Sequence, residues 1–250
     1  MDRRQVLKTL AAVALCPHCT TAGFAADAHW SYEGHGGPDR WAELDAANRV
    51  CGVGTQQSPV DIAGAVKAKL PLLKMAWGKR ADTIVNNGHT IQVNFTDAGM
   101  LNGPGGDFKL IQLHFHHPSE HLIGGKSFPM EAHFVHASQA GALAVVGVLM
   151  ATGKPNAVFS KIVATMPDQE GPPVRVDAAI DPNGLLPRKR SYYRYSGSLT
   201  TPPCSETVDW HLLTDPIEVA EADVARFAKL YPLNARPAQK GNRRFVLQSS

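Results

Sequence analysis

A predominantly antiparallel β-sheet with short helices on its surface is the fold class this sequence predicts, and three observations predict it. Most periodic segments are short and alternate apolar with polar residues, the pattern of half-buried strands. Turns rich in Gly and Pro separate them, in a chain that carries 22 Gly and 18 Pro. From residue 30 onward there is no internal repeat, no charge block and no low-complexity linker. One domain therefore accounts for the body of the 250 residues, a length that buries most of the unfolded chain's surface.

Taken in order, residues 1–26 do not read as part of that fold. A basic start (Arg3, Arg4, Lys8) leads into a short apolar run and then small residues, the layout of a secretory signal. The stretch Arg3-Arg4-Gln5-Val6-Leu7-Lys8 resembles a twin-arginine signal, with cleavage expected between 25 and 28. The apolar run is too short to span a bilayer. The remainder, 27–250, is the domain. Its strands are expected at 90–95, 110–116, 131–136, 143–150, 191–195 and 207–213. The run 143–150 is continuously apolar, as in a central strand buried on both faces. Helices are expected at 156–166, with apolar residues at 158, 159, 162, 163 and 166, and at 221–230, which opens on acidic residues and stops before Pro232.

Composition excludes several classes. With 44% hydrophobic residues and a net charge of +3, the chain is neither disordered nor strongly basic. A pI near 8.7 is well short of a nucleic-acid footprint. No apolar run reaches the length of a membrane span, so no stable membrane anchor is expected once a signal is removed. Loss of 1–26 takes Asp2, Arg3, Arg4 and Lys8 with it and lowers the net charge from +3 to +1. It also takes Cys16 and Cys19, whose CxxC spacing has no folded strand-to-helix context there. Cys51 and Cys204 remain. In an exported protein they are most simply one disulfide, the alternative being two buried thiols. A bridge closing so long a loop stabilises by about 4–5 kcal/mol in the chain-entropy model.

Ten of the 11 histidines lie beyond residue 26, and they concentrate between 114 and 136. His114 and His116, two apart on a strand, share a face. His133 sits on the next strand, across a loop with Pro118, Gly124, Gly125 and Pro129, so a hairpin brings it opposite the pair. Three neutral imidazoles from two strands make a zinc site with one open position, the catalytic form. Gln112 shares the face of the pair and Glu131 shares that of His133, so each can accept from the non-ligating nitrogen of a histidine. Val135 falls on the same face. His117, His121 and His136 lie off that face or in the loop and read as structural or solvated.

On these residues the sequence resembles the alpha-class carbonic anhydrases, of the exported bacterial kind. The matching stretches run across nearly the whole chain after the signal. They are Trp30-Ser31-Tyr32-Glu33-Gly34, Gly37-Pro38, Trp41, Gln57-Ser58-Pro59-Val60-Asp61-Ile62 and Asn86-Asn87-Gly88-His89. They continue with Gln112-Leu113-His114-Phe115-His116, Pro118-Ser119-Glu120-His121 and Glu131-Ala132-His133-Phe134-Val135-His136. Gly197-Ser198-Leu199-Thr200-Thr201-Pro202-Pro203-Cys204, Asn234-Ala235-Arg236-Pro237 and Asn242-Arg243 complete the set.

The resemblance implies a large, mostly antiparallel twisted sheet with zinc at the bottom of a cleft. It implies one Zn2+ per chain on His114, His116 and His133, and reversible hydration of carbon dioxide to bicarbonate and a proton. Thr200 would orient the zinc hydroxide, with Glu120, able only to accept when ionised, as its partner. Val135, Val145, Leu199, Val208 and Trp210 would form an apolar substrate pocket, with Thr201 at the product. His89 would shuttle the proton, because a histidine titrates near neutral pH, and Tyr32, Asn87 and Gln92 would line its path. Strand parity puts Gln92 opposite Asn87 and His89, so an irregular start or bulge is expected between His89 and Gln92. Cys51 and Cys204 match the family's disulfide positions. Ser58-Pro59 and Pro202-Pro203 match its cis bonds. A periplasmic or secreted monomer or homodimer follows, with a small-molecule substrate and no nucleic-acid partner.

Three rivals are weaker. A copper/zinc superoxide dismutase needs a second metal site with a bridging histidine. A metallo-β-lactamase-type hydrolase needs HxHxDH, whereas His116 is followed by His117-Pro118. A non-catalytic binding module is expected where a ligand histidine is lost, and all three are present.

Overall fold

The computed structural model describes residues 29–78, 80–176 and 179–250. The expected signal, with Cys16 and Cys19, lies outside the described residues. The chain first forms α1 (Trp41–Leu44) and α2 (Val50–Val53), then β1 (Asp61–Ile62), β2 (Val66–Ala68), β3 (Lys74–Trp77), β4 (Thr83–Asn86) and β5 (Ile91–Asn94). Next come β6 (Gly99–Gly103), β7 (Gly106–His116), β8 (Leu122–Ile123), β9 (Met130–Ala137) and β10 (Leu143–Thr152). After α3 (Ala157–Thr165) follow β11 (Val174–Arg175), β12 (Tyr192–Gly197), β13 (Val208–Leu213), β14 (Ile217–Val219), α4 (Glu221–Leu230) and β15 (Leu247–Ser249).

Thirteen strands join in one sheet, whose long path runs β11-β4-β5-β7-β9-β10-β13-β12-β15-β2. Strand β14 pairs with β10, β6 with β7, and β3 with β6. Most pairings are antiparallel; β10 runs parallel to β13 and β14, and β15 runs parallel to β2. All eight expected elements form, with edges shifted by a few residues at most except that β7 starts earlier, at Gly106.

The helices form for the reasons their sequences give. The Asn156 side chain accepts from the backbone N–H of Val158 and Phe159, which caps α3. Its apolar stripe, Phe159, Ile162 and Val163, is buried. Helix α4 begins with Glu221 and Asp223 and carries Lys229 in its last turn, in accord with the helix dipole.

The sheet has two differently used faces at its centre. Leu113, Phe115, Ala132, Phe134, Ala144 and Val146 face a large apolar core that includes Phe159 of α3 and Phe227 of α4. Val135, Val145, Val208, Trp210 and Leu212 face a second, smaller core. Simple alternation along β7 would put Leu110 with Gln112, His114 and His116. Instead the register against β9 shifts between Leu110 and Gln112, and Leu110 turns into the large core. This bulge lets an apolar strand start and a polar strand end share one element.

Candidate metal centre

Strands β7 and β9 pair so that His114 lies directly opposite His133, and His116 opposite Glu131. The three histidines each offer a nitrogen within 4.8 Å of the others. His116 and His133 are buried, and His114 is partly exposed. One nitrogen of each ring is already engaged by an acceptor. His114 Nδ1 donates to Gln112 Oε1 at 2.8 Å, and His116 Nδ1 to the main-chain carbonyl of Asn234 at 2.7 Å. His133 Nε2 donates to Glu131 Oε1 at 2.8 Å. The nitrogens left over are Nε2, Nε2 and Nδ1, each with its lone pair free.

Burial, reinforced by the neighbouring rings, holds His114 well below the usual histidine range. Burial likewise lowers His116 to about 4 and lowers His133. All three rings are therefore neutral, the form a metal binds. His116 Nε2 is buried with no hydrogen-bond partner. Such an orphan is costly unless something else fills its lone pair. The donor set and the orphan both fit a metal ion held by His114, His116 and His133.

Glu131 is the hub beneath this site. Its Oε2 accepts from the backbone N–H of Glu120 and His121, at 3.0 and 2.8 Å. Its Oε1 accepts from His121 Nδ1 at 2.7 Å as well as from His133. Burial alone would raise its pKa, but His121, His133 and these donors outweigh burial and keep it well below the usual carboxylate range. Gly147, opposite His133 on β10, makes room for it: a Cβ there would meet Leu212 at 2.7 Å and Glu131 Oε1 at 3.1 Å. His121, Glu131 and His133 also group closely enough to suggest a second metal triad. Both nitrogens of His121 and both oxygens of Glu131 are instead already engaged, by one another, by His133 Nε2, by two backbone N–H groups and by Tyr195, whose hydroxyl is 2.7 Å from His121 Nε2, so only His133 Nδ1 of this group is free.

Glu120 packs against the same triad, 3.5 Å from His116 Nδ1 and 3.9 Å from His133 Nδ1. Burial raises it to about 7, opposed by His133, by the backbone N–H of Arg236 at 2.9 Å and by the Thr200 hydroxyl. Its Oε2 has no hydrogen-bond partner among the described residues, and the Thr200 hydroxyl lies close enough to the carboxyl to favour its charged form. A dication at the histidines would favour the charged form of this carboxyl.

The description "Eukaryotic-type carbonic anhydrase" belongs to the family model that matches residues 36–250. A carbonic anhydrase of Nostoc sp. is 39% identical, over 99% of this chain and 97% of that one. One from Neisseria gonorrhoeae is 40% identical over 98% of each. The alpha-carbonic anhydrase of Thermovibrio ammonificans, solved with the inhibitor sulfanilamide, superposes with a TM-score of 0.85. It is 44% identical and covers 88% of this chain and 98% of its own. The chain belongs to the eukaryotic-type carbonic anhydrase family.

Around the histidines of this carbonic anhydrase, three adjacent strands supply an apolar wall. Val135 of β9 pairs with Val145 of β10, and Val145 with Trp210 of β13. Leu143 pairs with Val208, and Leu199 packs on the same cluster. The loop carrying Leu199, Thr200 and Thr201 is fastened at both ends. Ser58 and Ser198 exchange hydrogen bonds, N–H to Oγ in each direction, at 2.9 and 3.0 Å. Trp210 Nε1 donates to the Ser198 carbonyl at 3.0 Å. Gly197 permits this approach, since a Cβ there would lie 2.2 Å from Ser58 Oγ. The Cys51–Cys204 disulfide is formed, and the Cys204 N–H donates to Thr201.

The opposite rim holds the polar residues. Asn87 Oδ1 accepts from the N–H of His89 and Thr90, and β5 begins only at Ile91. The irregular start expected between His89 and Gln92 is therefore present, and Gln92 pairs with His114. His89 is half-buried, its ring stacked on Trp30 at 3.6 Å and on His29 at 4.9 Å. Burial, then His29, lowers its pKa to about 4. That differs from a pKa near neutrality, and the cause is the stacked pose. Tyr32 is partly buried and senses Glu120, behind burial, among the causes of its raised pKa.

Several residues of the site were not singled out by sequence. His121, read as structural or solvated, is structural: it is fully buried in the Glu131 network. Asn234 ties the site together: its carbonyl holds His116 and its Nδ2 donates to the carbonyls of His89 and Phe115. Arg236 donates to Glu120 through its backbone and, through its guanidinium, to Gln57, Ser58 and the Cys51 carbonyl. Asn234 and Arg236 belong to the stretch Asn234-Ala235-Arg236-Pro237, but nothing local announces their roles. Ser58-Pro59 and Pro202-Pro203 are cis as expected, and His117-Pro118 is cis as well.

Proposed function

We propose that the chain hydrates carbon dioxide reversibly, CO2 + H2O giving HCO3− and H+, at one zinc ion held by His114, His116 and His133. The observation that carries this reading is the set of three free ring nitrogens, each ring pinned through its other nitrogen. Zinc bound there supplies the Lewis acidity that lets water ionise near neutral pH.

The chain's own residues do the rest. Gln112, the Asn234 carbonyl and Glu131 fix the tautomer and tilt of each imidazole. Val135, Val145, Leu199, Val208 and Trp210 offer an apolar berth to a substrate that has no charge or donor to recognise. Glu120, when ionised, can only accept, so the Thr200 hydroxyl donates to it. The Thr200 oxygen is then left to accept, and only an attacker with a proton to give is well held there. That selects and aims the nucleophile. The Thr200 N–H and Thr201 hold the oxygens of the bicarbonate product. His89 takes the released proton after leaving its stack on Trp30, and Tyr32, Asn87 and Gln92 order the water that carries it. Export completes the reading: residues 1–26 are a cleavable signal of the twin-arginine type, and 27–250 are the periplasmic or secreted enzyme. The disulfide fits an oxidising compartment. No helix among the described residues is long and apolar enough to cross a membrane.

Metal analysis tests the site itself. The purified protein is expected to hold about one zinc per chain, and His133→Ala to hold none while remaining folded. Full zinc occupancy in His133→Ala would place the metal elsewhere.

A further inference from the structure

A groove of about 740 Å³ lies at the sheet edge formed by β12, β15 and β2, and it holds none of the three histidines; of its lining, Tyr195 reaches their network, through its hydroxyl on His121. Arg194, Arg243 and Arg244 line it, and no acidic residue does. Arg194 is neutralised by Asp209, with its Nε 3.0 Å from Oδ1. Arg243 and Arg244 form no ion pair among the described residues. Arg244 lies over the Tyr195 ring, 5.5 Å from its centroid, and donates only to main-chain carbonyls, those of Gly241, Ser196, Gln57 and Lys240. These carbonyls position the guanidinium without cancelling its charge. Glu206 is the acidic group that bears on Arg244, and it is turned to the Gln56 N–H and Gln57 Nε2.

Arg243 is set at the rim by its turn. Asn242 and Arg243 both have positive φ, 46° and 65°, and the Arg244 N–H closes onto the Gly241 carbonyl. This is a tight turn of the type that needs both central residues left-handed. The other wall is apolar. Phe245 is 77% exposed and Val66 53% exposed, large side chains that the fold leaves unburied.

We propose that this groove binds a small amphipathic carboxylate, its anionic end on Arg243 and Arg244 and its apolar body on Phe245 and Val66. Size and lining agree with small-molecule sites, which combine an apolar wall with a few convergent polar groups. Arg244 keeps one N–H beyond its four carbonyl contacts, and the consecutive, exposed Arg243 adds its own, which suits an anion that accepts more than one N–H. The exposed Phe245 ring and the Val66 side chain gain from an apolar ligand what neither gains from the protein. An inorganic anion would satisfy the arginines but leave that wall bare.

The test titrates phenylacetate into the zinc-loaded, isotope-labelled protein and follows backbone amides by NMR. Saturable shifts are expected at residues 243–247 and 195–196. Arg243→Ala and Phe245→Ala, both at exposed positions, should each weaken binding by roughly tenfold. Phenylacetamide, which lacks the charge, should bind more weakly than phenylacetate. The proposal is overturned if shifts appear only around Thr200 and the histidines, where a carboxylate would be occupying the metal site. It is also overturned if Arg243→Ala and Phe245→Ala bind as the parent does, or if chloride at equal concentration reproduces the shifts. The catalytic reading stands apart from these outcomes.

Discussion

Glu131 holds His133 by Nε2, at 2.8 Å, so the nitrogen left for a metal is Nδ1. The two histidines of β7 are held the other way round, by Nδ1. The difference follows from where the acceptors lie, and it makes Glu131 responsible for the aim of one ligand. Glu131→Gln keeps the volume but cannot accept from four donors as a carboxylate does. It should lower zinc affinity by about 10–100-fold, read by competition with a chelator. Unchanged affinity would mean the hub only supports the fold.

Thr200 and Glu120 are expected to act as a unit. Thr200→Ala should lower kcat/KM by about a hundredfold without loss of zinc, and Thr200→Ser should recover most of it. Glu120→Gln can donate back to Thr200 and should resemble Thr200→Ala, and the double variant should be little worse than either single one. Additive losses would show that the two do not work through one hydrogen bond.

Burial in the stack on Trp30, then the neighbouring His29, lowers the His89 pKa to about 4, too low to carry protons at neutral pH. Trp30→Ala removes the stack, and a proton NMR titration should show the His89 pKa moving up toward its ordinary value of about 6.5. His89→Ala should keep its zinc but slow turnover most in weak buffer, with imidazole restoring it. Equal loss in all buffers would remove His89 from the proton path.

A second consequence of buried histidines lies outside the site. His136 and His211 are buried on the far face of the sheet, and burial lowers them to about 3 and about 4. Asp209, 3.6 Å from His211, partly offsets this, while Arg194 adds to it. In the unfolded chain both rings protonate near 6.5. The unfolded state therefore binds protons first, and stability falls as pH drops from about 6.5 toward 4. His211→Leu should flatten that limb in urea melts taken between pH 7 and 4. A variant losing stability as steeply as the parent would assign the acid limb to other groups.

The sequence made the centre of this site readable and its supports hard to see. Period-two parity places Gln112, His114 and His116 on one face of β7 and Glu131, His133 and Val135 on one face of β9, because side chains alternate on any strand, and the pairing makes these the same face of the sheet. The bulge that sends Leu110 to the large core is not written in that alternation, since an extra residue changes parity without changing composition. The holder of His116 is a main-chain carbonyl 118 residues away, and a carbonyl has no residue type to search for. The role of His121 is not local either, because its partners are Glu131 on β9, ten residues on, and Tyr195 on β12, 74 residues on. The stacked pose of His89 depends on Trp30 and His29, from the other end of the domain.

Stopped-flow hydration of carbon dioxide tests the central claim most directly. The zinc-loaded protein should hydrate carbon dioxide far above the buffer background, and His133→Ala should fall to that background. A zinc-loaded protein with no rate above background would contradict the account.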